Sequence, residues 1–273
     1  MQLSEKILSM QSSPIRKFNV FGQQAKEQGK TIHHLNIGQP DIETPECFLD
    51  AIKNFDSKVV AYAESGGMDI LQNAIVQYFE KLGIHYDKTD MIITNGGSEA
   101  LSMIFTSILN PRDEVLIAEP FYTNYYTFVT AADGVVVPIT TSAEEGYHYA
   151  TRARIEAAIT PRTKAICCTT PGNPTGVVLT HQEMQLIGEI AKEHDLWIIA
   201  DEVYREFAFD QREITSFGNL TDIADRVLIV DSVSKRFSAC GARIGCIITK
   251  NQKFLENAIK IARAYTGKQA VIC

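Results

Sequence analysis

The sequence lacks the features that mark secreted, membrane and nucleic-acid-binding proteins. It contains no run of about 18 apolar residues, so we expect no membrane-spanning helix. Its N-terminus has no apolar core bounded by a cleavage site, so we expect no secretory signal. Acidic residues outnumber basic ones by 33 to 26, which gives a net charge of -7. Neither a nucleic acid nor a membrane surface is therefore an expected partner.

Two further absences narrow the class of protein. The six cysteines form no C-x-x-C pair, so we expect no metal site and no disulfide framework. Scattered thiols are typical of a reducing compartment, which predicts a cytoplasmic protein. No G-x-G-x-x-G follows a first strand, which argues against a nicotinamide dehydrogenase, a rival suggested by the general strand pattern.

Apolar runs of strand length alternate with helical patterns along most of the chain. Several runs are continuously apolar, as expected of strands that are buried on both faces. This alternation predicts an α/β fold, with a mostly parallel sheet between two helical layers in a three-layer αβα arrangement. The strand candidates are Met91–Thr94, Val115–Ala118, Val135–Val137, Ala165–Thr169, Trp197–Ala200, Val227–Asp231 and Ile244–Thr249.

Helices are predicted between several of these strands. The residues Asp69–Leu82 carry an apolar stripe that includes Ile70 and Phe79. A second helix is predicted from about Glu99 to Leu109, and a third follows a capping box and runs to about His194. The segment Leu35–Pro45 contains glycine and two prolines and is predicted to be an extended loop.

Polar residues follow the strands, where an open α/β sheet binds its ligands. The first such group, Asn95–Glu99, contains two glycines and precedes a helix. A helix N-terminus offers free N–H groups and suits a phosphate, although a plain glycine-rich turn has the same composition. The second group, Glu119–Tyr122, provides aromatic rings that suit either stacking on a planar ligand or simple packing.

Three more groups follow later strands. Pro171–Gly176 fixes Asn173 in a rigid turn. Asp201 ends a buried strand and needs a donor or a cation to stay charged there; a helix cap or a surface acid is the alternative. Lys235 follows two serines and lies eight residues before Arg243, a set that suits a phosphate and a nucleophilic amine. An exposed lysine in a polar loop is the alternative for Lys235.

Together these groups resemble the class I/II aminotransferases of the pyridoxal-phosphate (PLP) fold-type I superfamily, in particular aspartate aminotransferase. The resemblance runs from about Ser13 to about Lys250, and six blocks occur in the family's order. The blocks are NIGQPD (36–41), YAESGG (62–67), TNGGSEAL (94–101), PGNPTG (171–176), DEVY (201–204) and SVSKRFSACGARIG (232–245).

The resemblance implies a role for each group around the cofactor ring. Lys235 is expected to form the aldimine with PLP, and Asp201 to pair with the protonated pyridine nitrogen. Asn173 and Tyr204 are expected to hydrogen-bond the phenolic oxygen. Tyr122 matches the position of an aromatic residue, often tryptophan, that stacks on the ring.

The resemblance also implies contacts with the phosphate and the substrate. Gly38, together with Asn173, is expected to contact the substrate. Tyr62 is expected to reach the phosphate bound by a neighbouring subunit, which implies a homodimer. The residues expected to hold the phosphate within one chain are Gly97, Ser98, Glu99 (through its backbone), Ser232, Ser234 and Arg243.

The implied activity is a ping-pong transamination. An amino group would pass from an L-amino acid to a 2-oxo acid, with Lys235 as general base and then acid. A C–S β-lyase or another fold-type I enzyme would use the same cofactor residues and stays open. A PLP-binding fragment without turnover also stays open.

The resemblance divides the chain into two parts. Residues 1–47 are expected to belong to a small domain, and residues 48–273 to form the PLP-binding large domain. Family members continue for roughly another hundred residues and complete the small domain there. The sequence is therefore expected to be truncated, without most of the small domain and without the arginine that binds the substrate α-carboxylate.

Overall fold

A computed structural model describes residues 1–10, 16–34 and 37–265. Within these ranges seven strands form one sheet in the order β1-β7-β6-β5-β4-β2-β3. β7 is antiparallel to β1 and β6, and the other pairs are parallel. The prediction of a mostly parallel sheet is confirmed. The strands are β1 (Met91–Thr94), β2 (Glu114–Ala118), β3 (Val135–Ile139), β4 (Thr163–Thr169), β5 (Trp197–Asp201), β6 (Val227–Ser232) and β7 (Gly245–Ile248).

Helices cover both faces of the sheet. The α-helices are α1 (Glu5–Ser9), α2 (Asn19–Glu27), α3 (Glu46–Lys53), α4 (Asp69–Glu80), α5 (Gly96–Ile108), α6 (Asn124–Ala131), α7 (Arg152–Glu156), α8 (His181–Glu193), α9 (Val233–Arg236) and α10 (Gln252–Tyr265). No helix among the described residues has the length and apolar character needed to cross a membrane. The cysteines within the described ranges are free thiols.

Successive residues of the central strands point into two separate cores. Ile198 belongs to a core that contains Phe79 of α4 and Met184 of α8. Its neighbour Ile199 belongs to a second core, with residues of α5, α6 and α10. Both residues are fully buried, because side chains alternate between the faces of a strand. The predicted three-layer αβα arrangement is therefore confirmed.

The predicted strands are all present, and the helices differ in detail. α5 begins at Gly96 rather than Glu99, because Gly96 takes a positive φ of 74° and Glu99 accepts a hydrogen bond from the Asn95 amide. The predicted apolar stripe of α4 is wrong at Ile70, which is 69% exposed. The buried Gln72 faces inward instead and donates to the Gly66 and Lys88 carbonyl oxygens.

The short helix α1 contacts the end of α6 and the region that follows it. Lys6 of α1 donates to the Ala131 carbonyl oxygen at 3.1 Å and pairs with Asp133 at 3.0 Å. The described part of the predicted extended loop, residues 37–45, contains neither helix nor strand. Its first two residues, 35 and 36, lie outside the described residues.

Candidate active site

Lys235 lies on α9, a single helical turn that follows β6 directly. The Ser232 hydroxyl caps this turn by accepting a hydrogen bond from the Ser234 amide at 3.2 Å. The Lys235 Nζ donates to the Gly38 carbonyl oxygen at 2.6 Å and lies 5.5 Å from the centre of the Tyr204 ring. The Cys240 sulfur is 4.0 Å from the same nitrogen. The amine therefore projects into a space bounded by three separate chain segments.

Residues 37–44 pass over this amine and are fixed from both sides. The Thr44 hydroxyl donates to the Ser238 carbonyl oxygen at 2.7 Å, and the Ser238 hydroxyl donates to the Ile42 carbonyl oxygen at 2.6 Å. A side chain at Gly38 would place its Cβ 3.0 Å from the Tyr204 hydroxyl oxygen. Glycine therefore allows the backbone to approach Lys235 and Tyr204 together.

Asp201 ends β5 and is 5% exposed. Its Oδ2 accepts a hydrogen bond from the Tyr125 hydroxyl at 2.6 Å, and its Oδ1 accepts one from the Val203 amide at 3.3 Å. Burial raises the pKa of Asp201 to about 6, although both hydrogen bonds act to lower it. No ion pair within the described ranges includes Asp201. This buried carboxylate thus has no cationic partner among the residues that the structure describes.

Two tyrosines lie close to this carboxylate. Burial raises the pKa of Tyr204 to about 12, and the negative charge of Asp201 adds to the effect. The Tyr122 ring meets the Tyr125 ring edge to face, with 5.4 Å between their centres. Aromatic surface therefore borders the space between Asp201 and Lys235.

Arg243 lies against the N-terminus of α5. Its Nη2 donates to the Asn95 carbonyl oxygen and its Nη1 to the Cys240 carbonyl oxygen, each at 3.2 Å. A Cβ on Gly96 would lie 2.4 Å from Nη2, and a Cβ on Gly245 would lie 2.5 Å from the Gly96 carbonyl carbon. The glycines therefore let a guanidinium group approach the free N–H groups of a helix N-terminus, an arrangement that suits an anion.

The predicted phosphate residues fall on two neighbouring elements. Gly97, Ser98 and Glu99 form the first turn of α5 and are half-buried. Ser232 and Ser234 belong to β6 and α9 and are buried. β6 and β1 flank β7, whose first residue Gly245 pairs with both Thr94 and Ser232. The structure thus brings these residues to one edge of the sheet.

Asn173 is half-buried in the loop after β4. It lines a cavity together with Thr169, Thr175 and Phe121. This cavity lies between the carboxyl ends of β2 and β4, after which the chain continues to opposite sides of the sheet. Ligands of open α/β sheets bind at such a point. Tyr62 is 85% exposed.

A buried network of charges lies behind the site. Arg205 is 1% exposed and contacts Glu202 at 2.6 Å and Asp231 at 3.0 Å. Arg236 pairs with Asp231 at 2.9 Å, and its guanidinium lies 3.9 Å from the centre of the Tyr78 ring. Burial favours a higher pKa for Asp231, but the two arginines outweigh burial and lower it. The network fixes the carboxyl ends of β5 and β6.

Several residues of the site were not among the predicted ones. Tyr125 and Thr169 complete the hydrogen bonding around Asp201, with 2.6 Å between their hydroxyl oxygens. Thr169 is the last residue of β4, so its position at a strand end was a usable signal. Arg205 follows the predicted DEVY block directly, yet nothing in the sequence distinguishes it from an exposed arginine.

Comparison with known proteins identifies the family of the chain. The family model of aminotransferase class I and II matches residues 30–272, further towards the C-terminus than the blocks described above. The asparagine–oxo-acid transaminase of Streptococcus mutans is 33% identical over 248 residues, which cover 89% of this chain and 63% of that protein. The aspartate aminotransferase of Bacillus subtilis is 32% identical over 248 residues, covering 90% of this chain and 63% of the relative.

The solved structures show the same fold. Aspartate aminotransferase from Thermus thermophilus with maleate superposes on this chain with a TM-score of 0.91 at 30% identity. The superposition covers 100% of this chain and 70% of the Thermus thermophilus chain. The chain therefore belongs to the class I and II aminotransferase family. It spans about 63% of the length of the two curated relatives.

Proposed function

We propose that this chain binds PLP through Lys235 and transfers an amino group between an L-amino acid and a 2-oxo acid. The observation that carries the proposal is the position of the Lys235 amine, which lies beside Tyr204 and under the Gly38 carbonyl oxygen. The buried Asp201 carboxylate, and the N-terminus of α5 with Arg243 beside it, border the same edge of the sheet.

The chemistry of the residues present fits each part of PLP. A primary amine suits its aldehyde, and Arg243 with the first turn of α5 suits its phosphate. Asp201 is buried without an ion pair among the described residues, and a protonated pyridine nitrogen would supply the missing positive charge. The Tyr122 ring suits the face of the cofactor ring. Each polar part of PLP thus has a complementary group in this chain.

The role assigned to each residue follows from its chemistry. PLP supplies an electron sink for the bonds at the substrate Cα. Asp201 keeps the ring nitrogen protonated, and Asn173 with Tyr204 binds the phenolic oxygen. The phosphate is held by Arg243, Gly97, Ser98, Glu99, Ser232 and Ser234. Lys235 Nζ takes a proton from the substrate Cα and later returns one, as a general base and acid.

The surroundings of Lys235 suit this proton transfer. The Gly38 carbonyl oxygen accepts a hydrogen bond from Nζ, which orients the amine when it carries a proton. Gly38 and Asn173 are assigned to the substrate side of the site. The four-residue helix α9 begins at the buried end of β6 and is capped there. The backbone of Lys235 is therefore held in place while its side chain transfers the proton.

Three statements about the whole protein belong to the proposal. Residues 48–273 form the cofactor-binding domain, and residues 1–47 belong to a second, smaller domain. The protein acts as a cytoplasmic homodimer, in which the exposed Tyr62 reaches the phosphate in the partner subunit. The exposure of Tyr62 supports this assignment, because an exposed side chain is free to contact a second subunit.

The test uses covalent capture of the cofactor. After incubation with PLP and reduction by borohydride, peptide mass spectrometry should find the pyridoxyl group on Lys235. Lys235→Ala should lose the captured group, and Lys192→Ala, at an exposed position on α8, should keep it. Capture on other lysines only, or full retention in Lys235→Ala, would refute the proposal.

The reaction type needs a separate measurement. The protein is loaded with PLP and given an amino acid in the absence of a 2-oxo acid. A transaminase should convert the amino acid to its 2-oxo acid and retain the amino group on the cofactor, at one equivalent per site. Ammonia and pyruvate released from a β-substituted amino acid would instead indicate the C–S β-lyase.

A further inference from the structure

Tyr125 has a contact that the assigned residues do not account for. It lies in the first turn of α6, is 1% exposed and donates a hydrogen bond of 2.6 Å to Asp201 Oδ2. Burial and the Asp201 charge raise its pKa well above the ordinary value, so the phenol keeps its proton. A fully buried tyrosine hydroxyl is thus dedicated to one carboxylate oxygen.

Thr169 extends this contact into a chain of two hydrogen bonds. The Tyr125 and Thr169 hydroxyl oxygens are 2.6 Å apart. An ionised carboxylate only accepts hydrogen bonds, so the single phenol proton goes to Asp201. The Thr169 hydroxyl must then donate to the Tyr125 oxygen. Hydrogen bonds in such a chain polarise each other, and Thr169 therefore makes Tyr125 a stronger donor.

We propose that Tyr125 is the positioning residue that keeps Asp201 charged and oriented, and that Thr169 acts through Tyr125. The inference rests on the proposed function in one respect, because the partner of Asp201 is taken to be the pyridine nitrogen of PLP. Tyr125 thereby controls how strongly this chain holds that nitrogen in its protonated form.

Tyr125 carries this role because Asp201 has few other stabilising partners. Within the described ranges, the other hydrogen bond to its carboxylate comes from the Val203 amide at 3.3 Å. The charges of Asp231 and Glu202 raise the pKa of Asp201 further, and Arg205 and Arg236 pair with those two carboxylates instead. The titratable groups that face Asp201 from its own and neighbouring elements are Tyr125, Cys167, Glu202, Tyr204 and Asp231.

The first measurement uses the protein before PLP is added. The carboxyl infrared band of Asp201, identified by difference against Asp201→Asn, is followed with pH. Tyr125→Phe should raise the pKa of Asp201 by roughly one pH unit or more, since a hydrogen bond to a charged group is lost. Tyr126→Phe removes a phenol from the next residue, which is 38% exposed, and should leave the pKa unchanged. An unchanged pKa in Tyr125→Phe would overturn the proposal.

The second measurement uses PLP labelled at the pyridine nitrogen. Its nitrogen resonance should report a protonated ring in the unmodified protein and loss of that proton at a lower pH in Tyr125→Phe. If PLP does not bind to the unmodified protein, the proposed function fails, while the infrared titration still decides the role of Tyr125. Equal resonances in both proteins across the pH range would count against the inference alone.

Thr169→Val tests whether Thr169 acts on Asp201 through Tyr125 or independently of it. The same variant serves as the test if Tyr125→Phe does not fold. Alone, it should raise the pKa of Asp201 in the same direction by a smaller amount. In the Tyr125→Phe background it should have no further effect, because its path to Asp201 is gone. A full additional effect in that background, or no effect alone, would refute the action of Thr169 through Tyr125.

Discussion

Asp201 should make the PLP-free protein lose stability as the pH rises. Its pKa is about 6 in the folded protein, compared with 3.8 for an exposed aspartate. Between these values the folded protein binds a proton that the unfolded chain does not, so the free energy of unfolding falls as pH increases. The difference corresponds to about 3 kcal/mol, of which about 2 kcal/mol is lost between about pH 4.5 and about pH 8.

The assay compares the unmodified protein with Asp201→Asn in urea, by circular dichroism and by the fluorescence of the single tryptophan, Trp197. The gap in unfolding free energy, variant minus unmodified, should increase by about 2 kcal/mol over that pH range. The substitution also changes the free energy of unfolding by an amount that does not depend on pH, because an amide replaces a carboxyl group. Comparing the gap at two pH values removes this constant contribution. Asp195→Asn, at a carboxylate side chain that is 92% exposed, is the control and should change little. Parallel pH profiles for Asp201→Asn and the unmodified protein would refute the reasoning.

Three further predictions concern the packing around the site. In the same urea titration, Arg205→Met should lower the free energy of unfolding by about 3–5 kcal/mol, because Glu202 and Asp231 lose a buried partner. The control Arg226→Met, at a partly exposed ion pair, should lower it by about 1 kcal/mol or less. Gly96→Ala should displace Arg243 and weaken PLP binding roughly tenfold or more, as measured by equilibrium dialysis. The control Gly22→Ala adds its methyl group in open space and should leave PLP binding unchanged. Ser238→Ala should increase proteolysis of residues 37–44 because the Ile42 contact is lost, and unchanged cleavage would contradict the importance of that contact.

The sheet was predictable from sequence because its signal is strong and local. Runs such as Val227–Asp231 are apolar throughout, and burial on both faces is the usual reason for such a run. The short helices gave no comparable signal. α1 has five residues and no buried ones, so no apolar periodicity marked it. The stripe predicted for α4 failed at Ile70 because burial is decided by what packs on the helix, and Gln72 meets backbone carbonyl groups there.

The site was predictable where its residues follow strands in recognisable blocks. Lys235, Asp201 and Arg243 stand in such blocks, and the structure places each at the end of a strand or of a helix. Their roles toward a cofactor stay predictions. Tyr125 and Arg205 were not predictable, since their importance comes from partners far along the chain. Tyr125 meets Asp201 across 76 positions and Arg205 meets Asp231 across 26, and such pairings depend on the completed sheet.

In the DEVY block and in the block that contains Lys235, neighbouring residues make contacts of different kinds. Asp201 contacts Tyr125, whereas Glu202 contacts Arg205; Lys235 reaches Gly38, whereas Arg236 pairs with Asp231. A protein engineer can therefore alter Asp201 or Lys235 and leave the ion pairs of Arg205 and Arg236 in place. A library that randomises both members at once would mostly yield unfolded chains, and its hits would report on folding rather than on chemistry.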